Sequence, residues 1–169
     1  IGIVMDTGQF KYSKTSPRTY EIAGKLVRHG FPVEELLRKL HEDYPFEKLL
    51  LKRDVYQSLQ LEPENGIASI SVTQEALKKY KNATSLGDGV VNELLGPKEI
   101  FIAVVFTELP ENKVKMSFRS KGKFNVCNVA KEFSGGGHSN AAGAVVKGDL
   151  SKVKKEVISK LKDLFKQSL

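Results

Sequence analysis

The sequence Ser134-Gly135-Gly136-Gly137-His138-Ser139-Asn140-Ala141-Ala142-Gly143-Ala144 places three consecutive glycines before a histidine and follows them with a run of small residues. Without a Cβ, a glycine admits positive φ and lets the backbone come close to a ligand or to another segment. A turn of this kind can gather several N–H donors around an anion. The small residues behind it allow a neighbouring segment to pack closely and hold it stiff. Read alone, the same glycines are equally a helix stop and a loose linker.

The flanks add chemistry. Val114, Met116 and Phe118 alternate with Lys115, Ser117 and Arg119, which predicts a strand with one apolar and one polar face. Ser117 offers a hydroxyl and Arg119 a rigid fork of donors suited to phosphate. From Lys113 through Lys131 there are six basic residues and no acid, Lys121 and Lys123 among them. Alone, such a run is a solvated edge. Here it leads through a helix from Asn125 to Phe133, with Val126, Val129, Ala130 and Phe133 as its buried stripe, straight into the glycines. Cys127 reads as a small structural residue on that helix. Beyond the glycines, Gly143 to Val146 reads as a strand. Ser151 caps a terminal helix with an apolar stripe of Val153, Val157, Ile158, Leu161, Leu164 and Phe165. The helix's lysine-rich opposite face suits either nucleic acid or plain solvent.

The 169 residues allow one ordinary domain or two small ones. A formal net charge of +7 favours an anionic partner, nucleotide or nucleic acid, although solubility explains many basic proteins as well. Residues 1–61 carry net +2 and residues 62–169 net +5, so the anion-facing part falls in the second stretch. The single cysteine excludes an intrachain disulfide and a cysteine-based zinc site. No apolar run approaches the roughly 20 residues a membrane span needs, and no secretory leader pattern is present, so no membrane role and a cytoplasmic location are expected.

The opening Ile1-Gly2-Ile3-Val4-Met5-Asp6 reads as a buried strand whose partners lie upstream, and the chain therefore reads as a fragment. Asp6 then stands where a strand gives way to a turn, as a local hydrogen-bond acceptor or a metal ligand. Ser16 and Pro17 start a helix that Gly30 stops, and Pro32 opens a second. Pro45 opens a third that runs to near Pro63 and reads as a connector. His29 and His41 read as surface or structural residues. From Gly66 the pattern becomes mixed. Ala68, Ile70 and Val72 alternate with Ser69 and Ser71 as a strand, Glu75 to Tyr80 is a short helix, and Asp88 caps another. Ile100 to Phe106 is apolar without alternation, the pattern of a central strand covered on both faces. The fold class is α/β: a mixed β-sheet with flanking helices, preceded by the strand-and-helices end of another α/β domain. The expected divisions are 1–44, a linker helix over 45–61, and 62–169.

Phe118-Arg119-Ser120 together with Phe133 to Gly143 resembles the substrate-binding domain that accompanies DHH-family phosphoesterases, in particular the nanoRNase and phosphoadenosine-phosphate phosphatase branch. The opening Met5-Asp6-Thr7-Gly8-Gln9-Phe10-Lys11-Tyr12-Ser13 with Thr15-Ser16-Pro17-Arg18-Thr19 resembles the last motif of that family's catalytic domain. The resemblance implies hydrolysis of short oligoribonucleotides or phosphoadenosine phosphate by two manganese ions, with Asp6 as a metal ligand. It implies substrate contacts from Arg119, His138 and the loop Gly135, Gly136, Gly137, with Ser117, Asn140 and Lys121 as further contacts. Ser134 departs from the glycine common there. The paired aspartates and the DHH tripeptide are absent from these residues, so the chain is expected to be inactive alone. Exopolyphosphatase-like and RecJ-type enzymes, and a non-catalytic RNA-binding module, share the pattern. Short single-stranded RNA, phosphoadenosine phosphate, cyclic-dinucleotide products and polyphosphate all remain open as substrates, and a homodimer remains open as the assembly.

Overall fold

A computed structural model describes residues 2–10, 15–80 and 89–168. The chain divides into two compact units, Ile1–Tyr44 and Pro45–Leu169.

The first unit is helical: α1 (Gly2–Asp6), α2 (Pro17–Arg28) and α3 (Val33–His41). The expected opening strand is a helix. A strand needs a neighbour to satisfy its backbone, and the described residues of this unit contain none, so the N–H groups bond locally, Thr7 to Ile3 O at 3.1 Å and Gln9 to Val4 O at 2.8 Å. Helix α2 starts as the sequence predicts. Ser16 Oγ accepts from Thr19 N, Thr19 Oγ1 accepts from Ser16 N, and Pro17 occupies the first turn. His29 is the exposed C-cap.

The second unit is built on one six-stranded mixed sheet. Its strands are β1 (Gln60–Glu62), β2 (Ile67–Val72), β3 (Ile102–Leu109), β4 (Lys113–Ser120), β5 (Gly136–His138) and β6 (Ala141–Lys147), in the spatial order β1-β2-β3-β4-β6-β5. Only β2 and β3 run parallel. Helices α4 (Glu47–Tyr56), α5 (Gln74–Lys79), α6 (Gly89–Leu94), α7 (Val126–Glu132) and α8 (Leu150–Gln167) flank it. The predicted cap Asp88 lies outside the described residues.

Strand alternation divides the interior into two cores. Ile102, Val104 and Phe106 of β3 join Met116, Phe118, Ala142 and Ala144 under α7 and α8. Ala103 and Val105 point the other way and join Ala68, Ile70 and Val72 under α4 and α6. Residues Ile102 to Phe106 are therefore all buried, as an apolar run without alternation requires.

Three expectations are corrected by packing. The stretch 45–61 belongs to the second unit, because Leu51 and Val55 are fully buried in its second core. Its helix ends at Tyr56, and Gln60–Glu62 pairs antiparallel with β2 as an edge strand. Asp149 caps α8, accepting from Lys152 N at 3.0 Å, where Ser151 was expected.

Asp54 ties α4 to α5. It accepts hydrogen bonds from the Tyr80 hydroxyl at 2.6 Å and Lys79 Nζ at 2.9 Å, with Arg53 2.7 Å away. The Tyr80 hydroxyl, then Lys79 and Arg53, hold its carboxyl well below the usual carboxylate range. A pKa lower in the folded than in the unfolded chain adds stability above the unfolded value, about 3.9, and loses it as the pH falls toward the folded one. Thermal unfolding of wild type should therefore weaken more steeply below about pH 4 than that of Asp54→Asn. Parallel pH profiles would show that the cluster contributes nothing.

Candidate phosphate-binding face

Directly opposed residues on antiparallel neighbours project to one side of a sheet, and so do residues two apart along a strand. The register therefore assembles two adjoining rows. One is Ala103, Arg119, Ala141, His138, and the next is Val105, Ser117, Gly143, Gly136. The opposite side of β4 carries Val114, Met116 and Phe118, all buried in the first core. Burial of those three residues fixes which way Ser117 and Arg119 face.

This side of the sheet is covered unevenly. Helices α4, α5 and α6 close over β2 and β3, and α6 also reaches β4. Beyond them, among the described residues of this unit, the face is open. Lys115, Gly136 and His138 are exposed, and Val145 is 50% exposed. Ser117, Arg119, Ala141 and Gly143 are half-buried. Arg119 and His138 lie two strand spacings apart, about 10 Å at the backbone, with only the methyl group of Ala141 between them. Arg119 Nη1 donates to Phe118 O at 3.0 Å, which steadies one side of the guanidinium. Lys115, Ser117 and Arg119 form a polar line along β4 at about 7 Å intervals. The sequence shows the alternation that places Lys115 there, but nothing in the pattern singles it out as a binding residue.

The three glycines have three different jobs. A Cβ on Gly135 would collide with Gly143 O and would stand 2.5 Å from Ala144 Cβ. On Gly137, where φ is +141°, it would stand 2.5 Å from Ala141 O. These two glycines let β5 and its approach lie against β6. Around Gly136 a Cβ would meet nothing within 4 Å, so that side of the strand is open space. The stretch is accordingly an edge strand held in register, where a loop was expected.

Its ends are secured by α7. Ser134 N donates to Lys131 O at 3.0 Å and Gly135 N to Ala130 O at 2.9 Å, the two bonds of a Schellman motif. Ser134 occupies the left-handed position with φ +57°, where glycine is favoured. Cys127 is buried, and its thiol donates to Gly137 O at 3.2 Å.

Two expected ligand contacts have structural partners. Asn140 Nδ2 donates to Ser120 Oγ at 2.9 Å and to Gly122 O at 3.1 Å, which pins the turn after β4. Lys121 Nζ donates to Pro97 O at 2.7 Å. Asp6 is exposed at the end of α1 in the other unit. Among the described residues no three His, Cys, Asp or Glu side chains are grouped to hold a metal ion.

Residues 66–167 match the family model of the DHHA1 domain. The chain belongs to the DHHA1 domain family. It is 32% identical over 145 residues to the bifunctional oligoribonuclease and PAP phosphatase NrnA of Bacillus subtilis, covering 86% of this chain and 45% of that protein. It is 29% identical over 163 residues to the NrnA protein of Thermus thermophilus, covering 96% and 48%. An exopolyphosphatase-related protein from Bacteroides fragilis has a similar structure, with a TM-score of 0.85 at 31% identity, over 97% of this chain and 49% of that one. The chain spans about half the length of these relatives. The resemblance carried by Arg119 and the glycine segment thus leads to the family that the comparisons find.

The glycine geometry separates roles that the sequence leaves together. Gly135→Ala and Gly137→Ala should each cost about 1–3 kcal/mol through overpacking and, at Gly137, strain. Gly136→Ala should leave stability within about 0.5 kcal/mol. Ser134→Gly should add up to about 1 kcal/mol by relieving the left-handed serine. Urea denaturation of the four variants checks this order, and equal losses at Gly135 and Gly136 would contradict the packing described.

Proposed function

We propose that this chain supplies the substrate-recognition face of a phosphoesterase acting on short oligoribonucleotides and phosphoadenosine phosphate, and that the face is the open half of the sheet. The observation that carries the reading is the pair of adjoining rows, with Arg119 and His138 in one and the bare backbone of Gly143 and Gly136 in the other. Arg119 presents a planar fork to a phosphate through charge-assisted hydrogen bonds. The His138 imidazole meets the same or an adjacent phosphate from across Ala141. Ser117 donates its hydroxyl, and Lys115 extends positive charge along the path of a short strand. With no side chain at Gly143 or Gly136, a ribose or base can come to within van der Waals distance of the sheet backbone there.

This assigns recognition to the chain and no bond-breaking step. The activities named for the NrnA proteins support the substrate class, and cleavage by the two-manganese chemistry of the resemblance would need ligands besides Asp6. The 169-residue chain should therefore bind short RNA and phosphoadenosine phosphate without hydrolysing them when manganese is added.

Arg119→Ala should weaken binding of a short RNA by about tenfold to a hundredfold, the loss of one charge-assisted contact worth about 1.5–3 kcal/mol. Gly136→Ala should weaken it with the fold unchanged, because its methyl group would stand in the open row. Fluorescence anisotropy with a labelled short RNA measures both, alongside circular dichroism for folding. Wild-type affinity in both variants would overturn the reading.

A further inference from the structure

The opposite side of the sheet holds a second polar recess. Helix α8 packs over β3 and β4, and on that side of β2 Ser71 is half-buried and Ser69 buried. Between α8 and β2 lies a groove of about 590 Å³, lined on the strand side by Ser69 and Ser71 and on the helix side by Lys154 and Lys155. The alternating serines of β2 and the lysine face of α8, which have no role in the recognition face, meet there.

Lys154 is the informative residue. Its ammonium is half-buried, 3.2 Å from Ser71 Oγ and 5.9 Å from the centroid of the fully buried Phe106 ring. Among the described residues no carboxylate pairs with it. A desolvated cation that meets only a hydroxyl and a ring face is incompletely compensated. Burial correspondingly holds this ammonium below the usual lysine range. Lys162, eight residues on and about 12 Å farther along the helix, is neutralised by Glu62 at 2.8 Å. The uncompensated positive charge is therefore concentrated at the Lys154 and Lys155 end, beside the serines.

We infer that this groove binds a small phosphate-bearing anion of about mononucleotide size, with Lys154 and Lys155 as its cations and Ser71 as a hydroxyl partner. Lysine meets phosphate as a point charge, whereas a planar carboxylate favours an arginine fork, and the groove lining has none. The volume lies in the range of small-ligand sites, roughly 300–1,000 Å³. Compact charge suits one phosphate group better than an extended strand, which would need cations spaced along its length.

Amide chemical-shift mapping on the 169-residue chain tests this, with inorganic phosphate, AMP, adenosine and a short RNA as separate probes. Phosphate and AMP should move the amides of Ser69, Ser71, Lys154 and Lys155, and adenosine should not. Lys154→Met keeps the aliphatic stem over Phe106, and Lys155→Gln alters only an exposed head. Each should weaken AMP at this groove by at least about tenfold, while Arg119→Ala should leave it unchanged. The inference is overturned if both lysine variants bind AMP as wild type does, or if the shifts gather only around Arg119 and His138. It is equally overturned if adenosine acts like AMP, or if short RNA moves these amides while phosphate and AMP do not.

Discussion

Everything in the second unit depends on the pleat of β4. Its eight residues alternate so that Val114, Met116 and Phe118 are buried and Lys115, Ser117 and Arg119 face the other way. A slip of one residue would bury a lysine, a serine and an arginine and expose three large apolar side chains. At roughly 1.5–3 kcal/mol for each large apolar side chain exposed, and more for a charge left unpaired in the core, register is strongly specified. The geometry of the recognition face is thus set by the hydrophobic core behind it.

The same pleat explains why one half of that face can stay open. Strand β3 carries apolar residues on both sides and must be covered twice, which α6 with α4 does on one side and α8 on the other. Strand β4 carries its large apolar side chains on one side only, which α7 with α8 covers, and on the open side of β6 the one large apolar side chain is the half-exposed Val145. On the uncovered side the row through Gly143 and Gly136 has almost no apolar surface to hide. Leaving it in solvent costs little hydrophobic free energy, so binding competes with no alternative packing. Because β5 is paired to β6, His138 and Gly136 are also fixed before a ligand arrives, which lowers the ordering cost of binding.

Much of this was legible from residue pattern. The unbroken apolar run from Ile100 to Phe106 gave the central strand, the alternation at 114–119 gave the polar line, and Ser16 with Pro17 gave a helix start correct to the residue. What stayed hidden depended on partners. The apolar opening at Ile3 and Val4 suits a strand by composition, yet a strand cannot form without a neighbour to bond, and here the run is a helix. The glycine stretch shows no strand signal, because glycine is poor in strands and the pairing of β5 rests on the bare backbone of β6. Asn140 and Lys121 have side chains typical of ligand contacts, and only the folded turn reveals that both hold neighbouring backbone carbonyls.

At the glycines, close packing and the proposed ligand access impose opposite demands on neighbouring positions. Gly135 and Gly137 lack side chains because β6 occupies the space, whereas the space beside Gly136 is empty. Stability alone would favour filling that space, since a β-former costs nothing sterically there and glycine loses more conformational entropy on folding than any other residue. A strand that keeps glycine where the fold does not require it gives up stability to leave backbone exposed beside Gly143, Ser117 and Arg119. In the proposed reading, that unforced glycine marks a face kept clear for a ligand.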